Sequence, residues 1–106
     1  MAIVISQDNV KKEVMESSKP VIIDVYASWC GPCQQMTPIF QEIEDELSSQ
    51  YTFAKVNVDQ AREVAVQFSV TSVPTFIFVK QGAVKGKETG YMSKQALLDK
   101  IKQYLG

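Results

Sequence analysis

At 106 residues the chain fits one domain, 1–106, long enough to bury a single core without metal or disulfide staples. Eleven lysines and arginines against twelve aspartates and glutamates leave a formal charge of -1, mixed along the chain, with no basic face for nucleic acid and no acidic tail. Histidine is absent, which excludes Ser-His-Asp and Cys-His catalysis, and two cysteines alone fall short of the four ligands of a structural zinc site.

Ala2 to Ile5 reads as a short strand. The apolar stretch from Met1 ends at Ser6, too short for a signal-peptide core or a membrane span, and Met1-Ala2 resembles an ordinary translation start, so a cytoplasmic protein is expected. Ser6 to Ser17 predicts a helix capped by Ser6 or Asp8, with Val10 and Val14 on one face, and Pro20 ends the connection. Val21-Ile22-Ile23-Asp24-Val25-Tyr26-Ala27 is β-branched and apolar on both faces, the pattern of a central strand buried on both sides. From Pro32 to about Ser49 a long helix places Ile39, Ile43 and Leu47 inward and turns Gln41, Glu44 and Asp45 outward, and Pro38 should kink it.

Tyr51 to Val58 alternates like a strand, and Asp59 is placed to cap a short helix carrying Val64, Ala65 and Phe68. Thr75 to Val79 and Ala83 to Glu88 are strands joined by a hairpin loop, Lys80-Gln81-Gly82. Ser93 caps a last helix with Leu97, Leu98, Ile101 and Leu105 as its buried stripe. The class is α/β: a central mixed sheet of about five strands flanked by about four helices, covering both faces. Such a sheet places its site at the carboxyl ends of its strands, where Cys30 lies.

Both cysteines fall in Trp29-Cys30-Gly31-Pro32-Cys33, directly after the central strand. If the chain is helical from Pro32, Cys30 sits at the helix N-terminal edge with Cys33 one turn along the same face, within the roughly 4.4–6.8 Å between Cα atoms that a disulfide needs. A thiolate is the attacking species, and an ordinary cysteine is only about 3% ionised at pH 7. Helix N–H groups and the helix dipole favour the anion at Cys30 by about 0.3–1 kcal/mol, up to about 2 where partly buried. Cys33, deeper in the turn, would resolve the mixed disulfide formed at Cys30. Two inert core cysteines are the competing reading; a structural disulfide closing so short a loop gains little. Asp24 either reaches solvent at a sheet edge or is a buried acid, and Lys55 read alone is an exposed strand lysine.

Trp-Cys-Gly-Pro-Cys after a strand resembles the active site of the thioredoxin family, and the order and spacing of the rest agree over nearly the full length. The resemblance implies protein-disulfide reduction with no bound cofactor or metal, with electrons passing from NADPH through a thioredoxin reductase to a monomer that acts on disulfide-containing protein substrates. It also implies that Asp24 is a buried acid able to take the Cys33 proton, that Lys55 is its neighbour, and that Val73-Pro74 is a cis-proline loop. Trp29, Gly31, Pro32, Val73, Pro74 and Gly90 would then shape the substrate groove. Gln34, Tyr26 and Thr71-Ser72 depart from the family's commoner residues, which bears on partner preference. The rival functions are an oxidase or isomerase on the same fold, against which the absence of histidine between the cysteines argues, and a binding module that needs no turnover.

Overall fold

In the computed structural model, which describes residues 2–106, Met1 and hence the first residue of the N-terminal apolar stretch lie outside the described residues. The described strands β1 (Ile3–Val4), β2 (Val21–Tyr26), β3 (Thr52–Asn57), β4 (Thr75–Lys80) and β5 (Ala83–Thr89) form one sheet in the order β1-β3-β2-β4-β5. β1, β3 and β2 run parallel, and β4 and β5 are antiparallel additions. The helices are a π-helical turn at Lys11–Met15 and α1 (Gly31–Leu47), α2 (Arg62–Gln67) and α3 (Lys94–Leu105).

β2 is central because its residues can be buried on either face. Val21, Ile23 and Val25 pack with Val10, Val14, Val64 and Phe68 on one side; Ile22 packs with Met36, Phe40, Ile43, Leu97 and Ile101 on the other. Period-2 alternation puts Asp24 on the second side, beneath α1 and α3. Phe40 meets Phe53 edge-on at 5.4 Å between ring centroids and Phe76 at 6.2 Å, pairs worth about 0.5–1.5 kcal/mol each beyond area burial.

Residues 6–17 do not form the expected regular helix. The Ser6 hydroxyl accepts the Asp8 N–H at 3.2 Å, while the Asn9 side chain accepts the Ser6 N–H at 2.8 Å and donates to the Val4 carbonyl at 2.9 Å. These reciprocal bonds cap a helical start at Ser6, as expected, and the Val10 N–H then donates to the Ser6 carbonyl at 3.0 Å. The chain then makes a single π-helical turn, with the Glu16 N–H on the Lys11 carbonyl at 2.9 Å, although Val10 and Val14 are buried as expected. Along α1 the buried stripe is Cys33, Met36, Phe40 and Ile43, with Ile39 and Leu47 half-buried. Glu44, expected outward, is buried at 6% exposure because it follows Phe40 by four residues on the inward face. The helix stays continuous through Pro38.

The β4–β5 turn needs only Gln81 and Gly82, at φ 53° and 78°. Two successive positive φ values are the primed turn that matches strand twist. Ser93 caps α3, accepting the Ala96 N–H at 3.1 Å. Gly86, opposite Phe78 on β4, lies under the Tyr104 ring, which stacks on Phe78 at 5.0 Å and whose hydroxyl donates to Glu88 at 2.6 Å. A Cβ at Gly86 would run into that ring. Gly86→Ala should therefore lower stability by about 1–3 kcal/mol in urea denaturation; a variant as stable as wild type would mean that the ring moves aside freely.

Candidate active site

From the end of β2 the chain passes through Ala27 to Cys30, which is the N-cap of α1 at φ -93° and ψ 115°. The Cys33 N–H donates to Cys30 Sγ at 3.2 Å, and the Gln34 N–H donates to the Cys30 carbonyl, also at 3.2 Å. Pro32 falls in the first turn, where a missing N–H costs nothing. No acidic residue stands in that turn to oppose the helix dipole at Cys30. Cys30 and Cys33 are joined in a disulfide with Cα atoms 5.2 Å apart. Cys30 was expected to be the exposed member of the pair. In the disulfide form it is only 6% exposed against 3% for Cys33; the two differ in direction, since Cys30 lines an open cleft and Cys33 does not.

That cleft holds about 840 Å³. One wall is Trp29, Cys30, Gly31 and Pro32; the other is the loop from Val70 to Val73 and the exposed side of α2 with Arg62 and Val66. The Val73–Pro74 bond is cis, and the Val73 carbonyl oxygen lies 3.9 Å from Cys30 Sγ. The loop is tied by the Thr75 hydroxyl, which donates to the Ser72 carbonyl at 2.7 Å, and by the Gly90 N–H, which donates to the Pro74 carbonyl at 2.8 Å. Pro74 is buried and Gly90 half-buried, and neither lines the cleft. Gly90 has φ 105°, and a Cβ there would meet nothing within 4 Å, so backbone conformation rather than crowding calls for glycine.

Trp29 is 70% exposed and its indole Nε1–H donates to the Asp59 carboxylate at 2.9 Å. Asp59 is thus not the helix cap expected from the sequence. The N-cap of α2 is Ala61, with no side-chain bond, and the Asp59 N–H is taken by Asn57 Oδ1 at 2.9 Å. Asp59, Arg62 and Val66 are cleft residues that the motif did not reveal. The signal available was position: Asp59 follows the carboxyl end of β3 as Cys30 follows that of β2, and β3 neighbours β2 in the sheet.

Asp24 is 1% exposed, and its Oδ1 has no hydrogen-bond partner among the described residues. Burial pushes its carboxyl up to about 6, against the opposing pull of the Lys55 charge. Lys55 stands opposite Asp24 in the β2–β3 register and is half-buried. Its ammonium lies 5.7 Å from the centroid of the Tyr26 ring. Among the described residues it forms no ion pair with Asp24 within 4.0 Å. The residues singled out from the sequence therefore divide: Trp29, Cys30, Gly31, Pro32 and Val73 meet at the cleft, Pro74 and Gly90 brace it, and Asp24 and Lys55 lie within the sheet that carries it. No group of three or more His, Cys, Asp or Glu among the described residues is arranged to hold a metal ion.

A family model described as thioredoxin matches residues 1–103. A thioredoxin of Rickettsia felis is 39% identical over 101 residues, spanning 95% of this chain and 96% of its own length. One of Chlorobaculum thiosulfatiphilum is 34% identical over 98 residues, 92% and 91% of the two chains. The chloroplastic M-type thioredoxin of Spinacia oleracea is 39% identical over 95 residues, 90% of this chain and 52% of the spinach protein.

Proposed function

The chain belongs to the thioredoxin family of protein-disulfide oxidoreductases, and from that premise we propose that it reduces protein disulfides with Cys30 as attacking thiolate and Cys33 as resolving thiol. The observation that carries the assignment of roles is the Cys30–Cys33 pair at the N-terminus of α1, with only Cys30 turned to the cleft.

In the reduced protein the Cys30 thiolate, stabilised by the Cys33 N–H, attacks one sulfur of a substrate disulfide. A Cys30–substrate S–S bond forms, the substrate S–S bond breaks, and its second sulfur leaves as a thiolate. The Cys33 thiol then gives its proton to Asp24 and attacks Cys30 Sγ, releasing the remaining substrate thiolate. Two electrons have passed to substrate and the protein is left as the disulfide. Asp24 suits the proton transfer because burial places it near neutrality. An extended substrate strand would pair with the Val73 backbone beside Cys30, with Trp29, Gly31 and Pro32 as the facing wall. Lys55 moderates the Asp24 carboxylate, and Pro74 and Gly90 hold the Val73 loop in place.

Re-reduction falls to a thioredoxin reductase drawing on NADPH, in the cytoplasm, with the protein acting as a monomer. No helix of the described residues is long and apolar enough to cross a membrane. With NADPH and a bacterial thioredoxin reductase, the protein should reduce insulin disulfides over many turnovers per molecule, read as NADPH consumption and insulin precipitation. Absence of turnover with several reductases and with dithiothreitol would leave a binding module in its place.

A further inference from the structure

Tyr26 closes β2 and stands two residues after Asp24, on the same side of the sheet. It is half-buried and packs against the cluster of Ala27, Cys30 and Cys33, while its ring faces the Lys55 ammonium. Lys55 thus sits beside an aromatic face and a carboxylate at once, and its ammonium lies over the ring instead of closing onto Asp24. A direct ion pair would draw a strongly hydrated ammonium beneath α1, where Asp24 is 1% exposed. A ring at the strand end offers that ammonium a partner nearer solvent.

We propose that Tyr26 is a positioning residue for the proton transfer, its ring holding the Lys55 ammonium beside Asp24 and off the carboxylate, so that the charge reaches the acid without capping the oxygens that must take a proton. The proposal rests on Asp24 as the base for Cys33. The other groups around Asp24 leave this role to Lys55. Opposite it on β4 is Phe76, and α1 contributes the Cys30–Cys33 pair at its start. Glu44 lies eleven residues beyond Cys33, roughly 16 Å along the helix. On α3, Lys94 is engaged by Glu42 and Glu46 and Lys100 by Glu88.

Carbon-detected NMR titration of the Asp24 carboxyl, together with the proton shifts of the Lys55 side chain, tests this directly. In wild type the Lys55 ε-methylene protons should show an upfield ring-current shift. Tyr26→Leu keeps apolar cover but removes the ring; the ring-current shift should vanish and the Asp24 midpoint should rise by about half a pH unit as the ammonium moves to water. Tyr26→Phe should preserve both signals. Lys55→Met should raise the midpoint by itself, and adding Tyr26→Leu to it should raise it no further. The pH profile of Cys33 resolution should follow the midpoint in each variant.

Unshifted Lys55 methylene protons in wild type overturn the proposal, and that measurement needs no variant to fold. So does a Tyr26→Leu effect of equal size with or without Lys55, because the ring would then act only by excluding water. A falling midpoint overturns it too. Failure of the underlying reading looks different: Asp24→Asn would leave the resolution rate unchanged while the carboxyl and lysine signals still behaved as described.

Discussion

Cys33→Ser should convert the protein from a catalyst into a trap, attacking one substrate disulfide and then holding the substrate covalently through Cys30. The hydrogen bond that favours the Cys30 thiolate comes from the backbone N–H of residue 33, so it survives the substitution, and the helix N-terminus is unchanged. Attack should therefore proceed. Resolution should not, because a serine hydroxyl cannot supply the thiolate that displaces Cys30 from the mixed disulfide. Cys30→Ser should instead reduce insulin turnover to the uncatalysed background and capture nothing, since the remaining thiol at Cys33 does not line the cleft. Mass spectrometry of each variant after mixing with a disulfide peptide reads the difference: one adduct per chain for Cys33→Ser, none for Cys30→Ser. Wild-type turnover by Cys33→Ser, or adducts on Cys30→Ser, would reverse the assigned roles. The same trap applied to a cell lysate would identify natural substrates.

The parts of this site that were legible in the sequence are those whose geometry is set over a few residues. Cys30 and Cys33 are three positions apart, so a helix start after Cys30 is enough to bring their Cα atoms to 5.2 Å. β2 was legible because an uninterrupted β-branched run has little alternative to burial on both faces, and Ser93 because a cap is a local hydrogen bond. Asp59 and Arg62 were not, since Asp59 meets Trp29, and both join the cleft, across some thirty residues of chain, through sheet order alone. The same limit applies to Lys55: its spacing from Asp24 says nothing, whereas the β2–β3 register puts the two side by side. Glu44 and the π-helical turn were misread for another reason. A charged residue is set outward by type, and in α1 the packing around Phe40 outweighs that preference; after the Ser6 cap, which holds, the Glu16 N–H passes to the Lys11 carbonyl, a change of hydrogen-bond register that residue type does not encode.

Asp24→Asn should stabilise the fold at neutral pH while slowing catalysis. The carboxyl has an ordinary value of 3.8 and is pushed up to about 6 by burial in the folded protein. Between those two pH values the unfolded chain has already lost its proton and the folded chain still holds it, so stability falls as pH rises through this window and levels off above it. The lost stability is on the order of 3 kcal/mol, taking about 1.4 kcal/mol per unit. An amide in place of the acid removes that dependence. Denaturation curves should therefore nearly coincide below pH 3.8 and separate as pH rises to about 6, with the variant more stable by roughly 1–3 kcal/mol at pH 7. The kinetic effect has the opposite sign. With no base to accept the Cys33 proton, substrate release should slow by about 100-fold near pH 7, the lower end of what a positioned base supplies. The deficit should shrink towards about pH 8.5, where a cysteine ionises unaided. Equal stability of the two proteins at pH 7 would mean that Asp24 is solvated in solution, and an equal release rate at that pH would take it out of the proton path.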